Sequence, residues 1–301
     1  MKRILRFFLV LIVGLLVFIA GGLLYFTVVD YQPEEKELVL VSDANISVQD
    51  TMFCLLTWNV GFCGLSKEMD FFYDGGKMVR PTYESSYANL EAIRRFVQQQ
   101  DSVDFFLFQE IDMKAKRSYY LNQYDSIAET LSFTAACIGI NYNVKYVPIP
   151  LYEPMGSVLS GIATYSRFIP DSCVRYSYPG NYDWPMKVFM LDRCFLVSRY
   201  PLSGGKQLIV VNTHNSAYDD GSLRKEQMKF LKDFLQAECR KGNYVIVGGD
   251  WNQCPPGYDT ERVTKGIQDD LELFPVEDPF IPGWEWTYDI TTPTNRMIDK
   301  P

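Results

Sequence analysis

Hydrophobic positions along the chain fall into three kinds of run, and each predicts a different element. The first is continuous. Phe7–Val29 carries no charge and follows Lys2, Arg3 and Arg6. As a helix it would span about 35 Å, enough to cross a bilayer. The second kind is short and bounded by Gly, Pro or Asn. Phe53–Trp58, Val103–Phe108, Gly161–Tyr165, Val188–Val197, Leu208–Val211 and Tyr244–Val247 read as buried strands. The third has helical spacing. Leu90, Ile93 and Val97 follow the capping pair Ser85–Ser86; Met228, Leu231 and Leu235 lie between Ser222 and a stop at Gly242; Asn122–Leu131 is a weaker third pattern. Mixed strands and helices of this kind predict a layered α/β domain.

The order of runs divides the chain into an apolar anchor over 1–29, a polar stretch containing Pro and Glu over 30–50 that reads as a stalk, and one domain over 51–301. An uncleaved anchor is the favoured reading of 1–29, because Leu23–Val29 stays apolar beyond Ala20-Gly21-Gly22; a signal cleaved near those small residues is the alternative. The basic flank stays inside, so the domain is expected to face the periplasm or exterior. Net charge is −8, and removing the three basic residues of the flank makes the outer portion more acidic still. With no basic stripe, tight duplex nucleic-acid binding is not expected. The seven cysteines include no C-x-x-C and meet a single His, so a zinc site is disfavoured and buried free thiols are expected.

What ends the strands carries more information than the strands. Leu55-Leu56-Thr57-Trp58 ends at Asn59, and Phe105-Phe106-Leu107-Phe108 at Gln109-Glu110. Ile209-Val210-Val211 ends at Asn212-Thr213-His214, and Val245-Ile246-Val247 at Gly248-Gly249-Asp250, with Asn252 two residues on. Each alone has an ordinary explanation as turn former, cap, solvated strand end or satisfied core residue. Four strand ends together supply a mix suited to metal and acid/base chemistry, and they meet at one rim if the strands lie side by side.

These segments, Thr57-Trp58-Asn59-Val60-Gly61, Phe108-Gln109-Glu110, Val211-Asn212-Thr213-His214 and Gly248-Gly249-Asp250-Trp251-Asn252, resemble in order and spacing the endonuclease/exonuclease/phosphatase superfamily, the deoxyribonuclease I-like fold. Ser160–Ser166 resembles its middle strand, and Arg296-Met297-Ile298-Asp299 a later segment in which an Asp begins a strand. With the apolar stretch in front, the chain looks most like membrane-tethered bacterial members. The resemblance implies a four-layer sandwich of two packed mixed β-sheets flanked by helices. It implies Mg²⁺ or Mn²⁺ held by Glu110 with Asn59 beside it. Asp250 would orient or deprotonate the attacking water, Asn252 would hold a phosphate oxygen, and His214 would stabilise charge on the phosphate. A phosphate-ester substrate is implied, with phosphodiester hydrolysis as the reaction. The alternative is a catalytically inactive scaffold or binding module on the same fold.

One departure stands out. The family pattern ends with Ser-Asp-His beyond the Asp matched by Asp299, and that Asp orients the final His. Here the sequence ends at Lys300-Pro301 and His214 is its only His. The expectation is a fragment that lacks closing strands and has little or no activity as it stands. Among weaker signals, Gly204-Gly205-Lys206 reads as a hairpin turn rather than a phosphate loop. Tyr142 and Tyr146 read as core or loop packing. Trp184, Trp284 and Trp286 read as loop packing, with a substrate cleft or a membrane contact as the other uses of such residues.

Overall fold

A computed structural model describes residues 2–41, 48–49, 51–131, 135–217, 219–257, 275–276 and 280–288. The elements run α1 (Lys2–Val28), β1 (Lys36–Val41), β2 (Leu55–Asn59), α2 (Tyr83–Gln98), β3 (Phe105–Asp112), α3 (Gln123–Thr130), β4 (Ala135–Val147), β5 (Gly156–Ser166), β6 (Ser172–Ser177), β7 (Cys194–Pro201), β8 (Gln207–His214), α4 (Ser222–Arg240) and β9 (Tyr244–Asp250). All three expected helices form. The cap of α2 is Thr82, not Ser85–Ser86: its side chain accepts from Ser85 N at 3.2 Å, and Ser86 is buried inside the helix. Asn122 caps α3 in the same way, accepting from Asp125 N at 3.1 Å. The chain leaves α4 at Gly242, where φ is +84°. The run Val188–Val197 is a strand only from Cys194; Val188 lies in a short helical turn, Met186–Phe189. Within the stretch read as a stalk, Lys36–Val41 forms β1.

The strands make two sheets, one ordered β1-β6-β7-β8-β9 and the other β2-β3-β5-β4. In the first, β8 and β9 are parallel and the remaining pairs antiparallel. In the second, β2 and β3 are parallel, and β5 runs antiparallel to β3 and β4. Side chains alternate across each strand, so each sheet has two faces to bury. The inner faces meet in a core of Phe105, Leu107, Tyr200, Leu208 and Val210, continued by Cys137, Ile162, Cys173, Cys194 and Leu196. Those three thiols and Cys63 are buried and free; Cys54 and Cys239 are exposed. The outer face of the four-stranded sheet is covered by α2 and α3 through Leu90, Ile93, Val97 and Ile127. The outer face of the five-stranded sheet is covered by α4 through Met228, Leu231 and Leu235. The result is the expected four-layer α/β sandwich.

A polar link joins the two sheets through this core. Asn212 of β8 is fully buried; its amide donates to Phe108 O at 3.2 Å and Ala163 O at 2.9 Å on β3 and β5. Its carbonyl accepts from Gln109 Nε2 at 2.7 Å. Buried amides are tolerated only when paired in this manner, and these bonds fix how one sheet sits over the other.

Helix α1 is apolar over its length with no buried residue, and it is long enough to cross a membrane. Its last turn touches the domain: Phe26 packs against Phe189 with ring centroids 5.2 Å apart and stacks on Tyr146, and Thr27 Oγ1 accepts from Trp184 Nε1 at 3.0 Å.

Candidate active site

Four strands deliver side chains to one rim of the sandwich because two parallel pairs, β2–β3 and β8–β9, end on the same side. Asn59 ends β2 opposite Gln109, and His214 ends β8 opposite Asp250, the last residue of β9. Glu110 is placed by an irregularity in β3. The pairing with β5 skips between Phe108 and Ile111, and Glu110 sits in that bulge with φ +57°. A bulge turns a side chain out of the strand's alternation, and a non-glycine residue at positive φ is strained, a combination common beside functional sites. Gly249 is the counterpart on β9. Its φ is +146°, and a Cβ there would lie 2.1 Å from Thr213 O, so only glycine lets β9 close against β8 one residue before Asp250.

Asn59 ties the groups together. Its Nδ2 donates to Glu110 Oε1 at 3.0 Å and to Asp250 Oδ2 at 2.8 Å, while its Oδ1 is turned away to accept from Gly61 N at 3.0 Å. One amide thus bridges a carboxylate from each sheet. His214 Nε2 lies 4.0 Å from Glu110 Oε1 and 3.9 Å from Asp250 Oδ2. The histidine is buried, and its Nδ1 has no hydrogen-bond partner among the described residues. The two carboxylate side chains keep about a quarter of their surface open, 23% for Glu110 and 26% for Asp250. The rim is therefore reachable from solvent at its acidic groups and closed behind the imidazole.

Electrostatics set the two kinds of group apart. Burial pushes the Glu110 carboxyl up from its usual range; the neighbouring Asp250 adds to this, and Arg117, the Asn59 hydrogen bond and Arg193 oppose it. Burial holds His214 well below the ordinary imidazole range, and Arg193 and Arg117 push the same way, so the ring is neutral at pH 7. Arg117 is buried, paired to Asp112 through Nη2–Oδ1 at 2.9 Å and Nε–Oδ2 at 3.2 Å, with its guanidinium 4.1 Å over the Phe62 ring. Neither arginine stood out in the sequence. Arg117 follows β3 by five residues, and Arg193 lies in the loop before β7; nothing in local pattern marks either as a neighbour of Glu110.

Asn252 is close but differently engaged. Its backbone N donates to Asp250 Oδ1 at 2.9 Å, its φ is +49°, and its Nδ2 donates to Asn215 O at 2.8 Å. It closes the turn that holds Asp250 and leaves the carboxylate bridge to Asn59. Asp299 lies outside the described residues. Support for the rim comes from Asn215, whose Oδ1 accepts from Thr213 Oγ1 at 2.7 Å, the same hydroxyl that meets Tyr178 Oη at 2.6 Å.

The donor set fits a hard divalent cation. Carboxylate oxygens are ligands such ions take, and a bound cation would oppose the burial that pushes Glu110 toward protonation; Asn59 presents Nδ2 to the carboxylates, so its Oδ1 would reach an ion only after an amide flip that releases Gly61 N. No group of three or more His, Cys, Asp or Glu forms a metal cage among the described residues. Mg²⁺ is characteristically held by one or two carboxylates and completes its shell with water and substrate oxygens.

The chain belongs to the Endonuclease/Exonuclease/phosphatase family, whose pattern it matches over residues 56–299. Members of this family are phosphoric ester hydrolases. Solved structures similar to this chain include an endonuclease/exonuclease/phosphatase from Beutenbergia cavernae (18% identity, TM-score 0.48, covering 66% of this chain and 47% of that one). They also include the human Nocturnin catalytic domain with bound sulfate anion (13%, 0.44, 72% and 68%) and ANGEL2, a 2′,3′-cyclic phosphatase (14%, 0.45, 83% and 69%). The chain spans about half the length of the first of these, 47%. No curated protein matches it.

Proposed function

We propose that the chain is a divalent-metal-dependent phosphodiesterase, tethered by α1 and acting outside the cytoplasm. The observation that carries this reading is the single Asn59 amide bridging Glu110 and Asp250, with neutral His214 within 4.0 Å of both. In-line attack on phosphorus needs a positioned nucleophile, positive charge on the non-bridging oxygens and donors that tighten as charge develops. Glu110, with Asn59 beside it, would hold Mg²⁺ or Mn²⁺, which when bound supplies Lewis-acid stabilisation of the phosphate oxygens. Asp250 is oriented from both sides, by Asn59 Nδ2 and by Asn252 N, so its carboxylate is fixed for taking a proton from an attacking water. His214, kept neutral, offers a donor at Nε2 facing the two carboxylates, where a phosphate oxygen would lie. Asn252 supports Asp250 and is also a candidate phosphate contact; Asp299 is the candidate for orienting a further catalytic group. The anchor, rather than a cleaved leader, is favoured by the packing of Phe26 and Thr27 on the domain.

The test uses a form extended through a closing Ser-Asp-His segment, with a soluble diester such as bis(p-nitrophenyl) phosphate and Mg²⁺ or Mn²⁺ titrated in. Glu110→Gln keeps the side-chain shape but removes one charge and should abolish the metal dependence. Asp250→Asn and His214→Ala should each lower turnover by about 10²-fold or more while metal binding, followed by calorimetry, persists. Equal metal affinity in wild type and Glu110→Gln would remove Glu110 from the metal site, and near-normal turnover in either other variant would remove that residue from the mechanism.

A further inference from the structure

The candidate rim and the anchor lie at the same end of the sandwich, and strand pairing fixes this. Lys36, eight residues after the end of α1, pairs with Tyr176; Tyr176 pairs with Phe195; Phe195 pairs with Thr213, the neighbour of His214. This single row crosses the sheet from the start of β1 to the candidate site in three inter-strand steps, about 14 Å. The other sheet agrees. Strand β4 runs antiparallel to β5, as β3 does, so its last residues, ending at Val147 opposite Gly156, lie at the end where Glu110 and Asp112 are found. The hairpin from β4 to β5 continues past Glu110 and meets the anchor where Tyr146 stacks on Phe26.

The surface around this junction is apolar and open. Leu151 and Tyr152 at the hairpin tip are 86% and 68% exposed, and Trp184 and Met186 in the β6–β7 loop are 54% and 48% exposed. Charges of both signs lie beside them in sequence: exposed Lys145 and Lys187, exposed Asp183 next to Trp184, and Glu153 next to Tyr152, whose carboxylate pairs with Arg80 at 3.2 Å. Exposed aromatic and apolar residues beside the end of an apolar helix are the chemistry of the bilayer interface, where rings sit at head-group level. The β6–β7 loop also joins this patch to the candidate site. Trp184 bonds Thr27 at one end of it, and at the other Cys194 pairs with His214.

We infer that this face, the β4–β5 hairpin tip together with the loop carrying Trp184 and Met186, lies on the lipid surface that holds α1, so that the rim of Asn59, Glu110, His214 and Asp250 takes phosphodiesters presented by lipid head groups. The inference rests on reading α1 as an anchor and the rim as the catalytic site. The occupant of the face is the chain's own bilayer, because α1 cannot insert without bringing Tyr146 and Trp184, which touch its last turn, to the membrane boundary.

The test reconstitutes the same extended form in vesicles of phosphatidylglycerol with brominated phosphatidylcholine, whose bromines quench tryptophan on contact. Quenching should fall on Trp184→Phe, and a Leu151→Trp reporter placed in that background should be quenched as well. An unquenched Leu151→Trp overturns the inference, since only the foot of the anchor would then be near lipid. A second arm inserts a rigid helical spacer of (EAAAK) repeats after Val29, which lifts the domain off the surface. Turnover of vesicle phosphatidylglycerol should drop by about tenfold or more, as the local substrate concentration is lost, while turnover of bis(p-nitrophenyl) phosphate stays unchanged. Wild type that cleaves the soluble diester and leaves the lipid untouched refutes the lipid substrate and keeps the phosphodiesterase reading. Wild type that cleaves neither, with the Leu151→Trp reporter still quenched, refutes the phosphodiesterase reading and the lipid substrate together, and supports the docked face.

Discussion

Asn212→Ala removes the polar link between the sheets and tests whether that link holds the candidate site together. Three hydrogen bonds are lost, two from the Asn212 amide to Phe108 O and Ala163 O and one accepted from Gln109 Nε2. At about 1 kcal/mol net for each, the variant should be about 3 kcal/mol less stable. For a domain of this size that is a fall of about 6–12 °C in thermal midpoint. Asn212→Asp is the sharper probe. It keeps the size and can still accept from Gln109, but it has no donor for the two carbonyls and brings a carboxylate into a fully buried position. It should be less stable than Asn212→Ala although it is closer in shape. Urea unfolding of the detergent-solubilised chain, followed by tryptophan fluorescence, gives both values. Metal titration adds a second readout, because Phe108 O and Gln109 lie immediately before the bulge that carries Glu110; metal affinity should fall with stability. An Asn212→Ala variant within about 0.5 kcal/mol of wild type, or an Asn212→Asp variant more stable than Asn212→Ala, would show that the link contributes nothing and that the sheets are aligned by apolar packing alone.

Two further outcomes follow from single positions. Gly249→Ala puts a Cβ 2.1 Å from Thr213 O and 2.7 Å from Thr213 N at φ +146°, so the β8–β9 pair must shift; the expected loss exceeds about 3 kcal/mol, read as a lower urea midpoint, and a variant as stable as wild type would refute the close approach. Asp192 is raised to about 7 by burial and by the nearby Asp30, against Arg175, the Asn181 hydrogen bond and Lys187. Its folded pKa lies above its unfolded one, so the stability it contributes is complete below the ordinary carboxylate range and is lost as pH rises through about 7. Asp192→Asn should therefore raise the thermal midpoint at pH 8 and leave it unchanged at pH 3; equal shifts at both pH values would count against the burial argument.

The sequence pattern reached the strands whose side chains are apolar on both faces and lost those that carry polar residues inward. All six expected strand runs overlap real strands, but β4, β6 and β1 were missed. Strand β4 contains Asn141 and Asn143 among its apolar residues, so its period of two is blurred. Strand β6 reads Ser-Cys-Val-Arg-Tyr-Ser, yet Arg175 is fully buried because Ile140 O, Asp192 O and the Ser177 hydroxyl satisfy its guanidinium. Strand β1 is a short edge strand in a charged stretch that reads equally well as linker. At the candidate site, Asn59, Glu110, His214 and Asp250 were legible because each ends an apolar run. The bridge made by Asn59, the bulge at Glu110 and the charges of Arg117 and Arg193 depend on contacts between distant segments, and no local spacing encodes them. Gln109 and Asn212 did carry a signal: each is an uncharged amide inside or at the end of an otherwise apolar run, where only a partner across the core makes burial tolerable.

The amide of Asn59 reaches one carboxylate in its own sheet and one in the other, a span of 191 residues to Asp250. Neither half of the sandwich therefore possesses the site by itself. A slip of the two layers by one residue, about 3.3 Å, would part the carboxylates without unfolding either sheet. Under the proposed function, catalysis in such an arrangement would act as a coincidence detector for assembly: fragments, swapped halves and loosely collapsed intermediates would stay chemically silent, and the rim would be armed only once both layers had locked together.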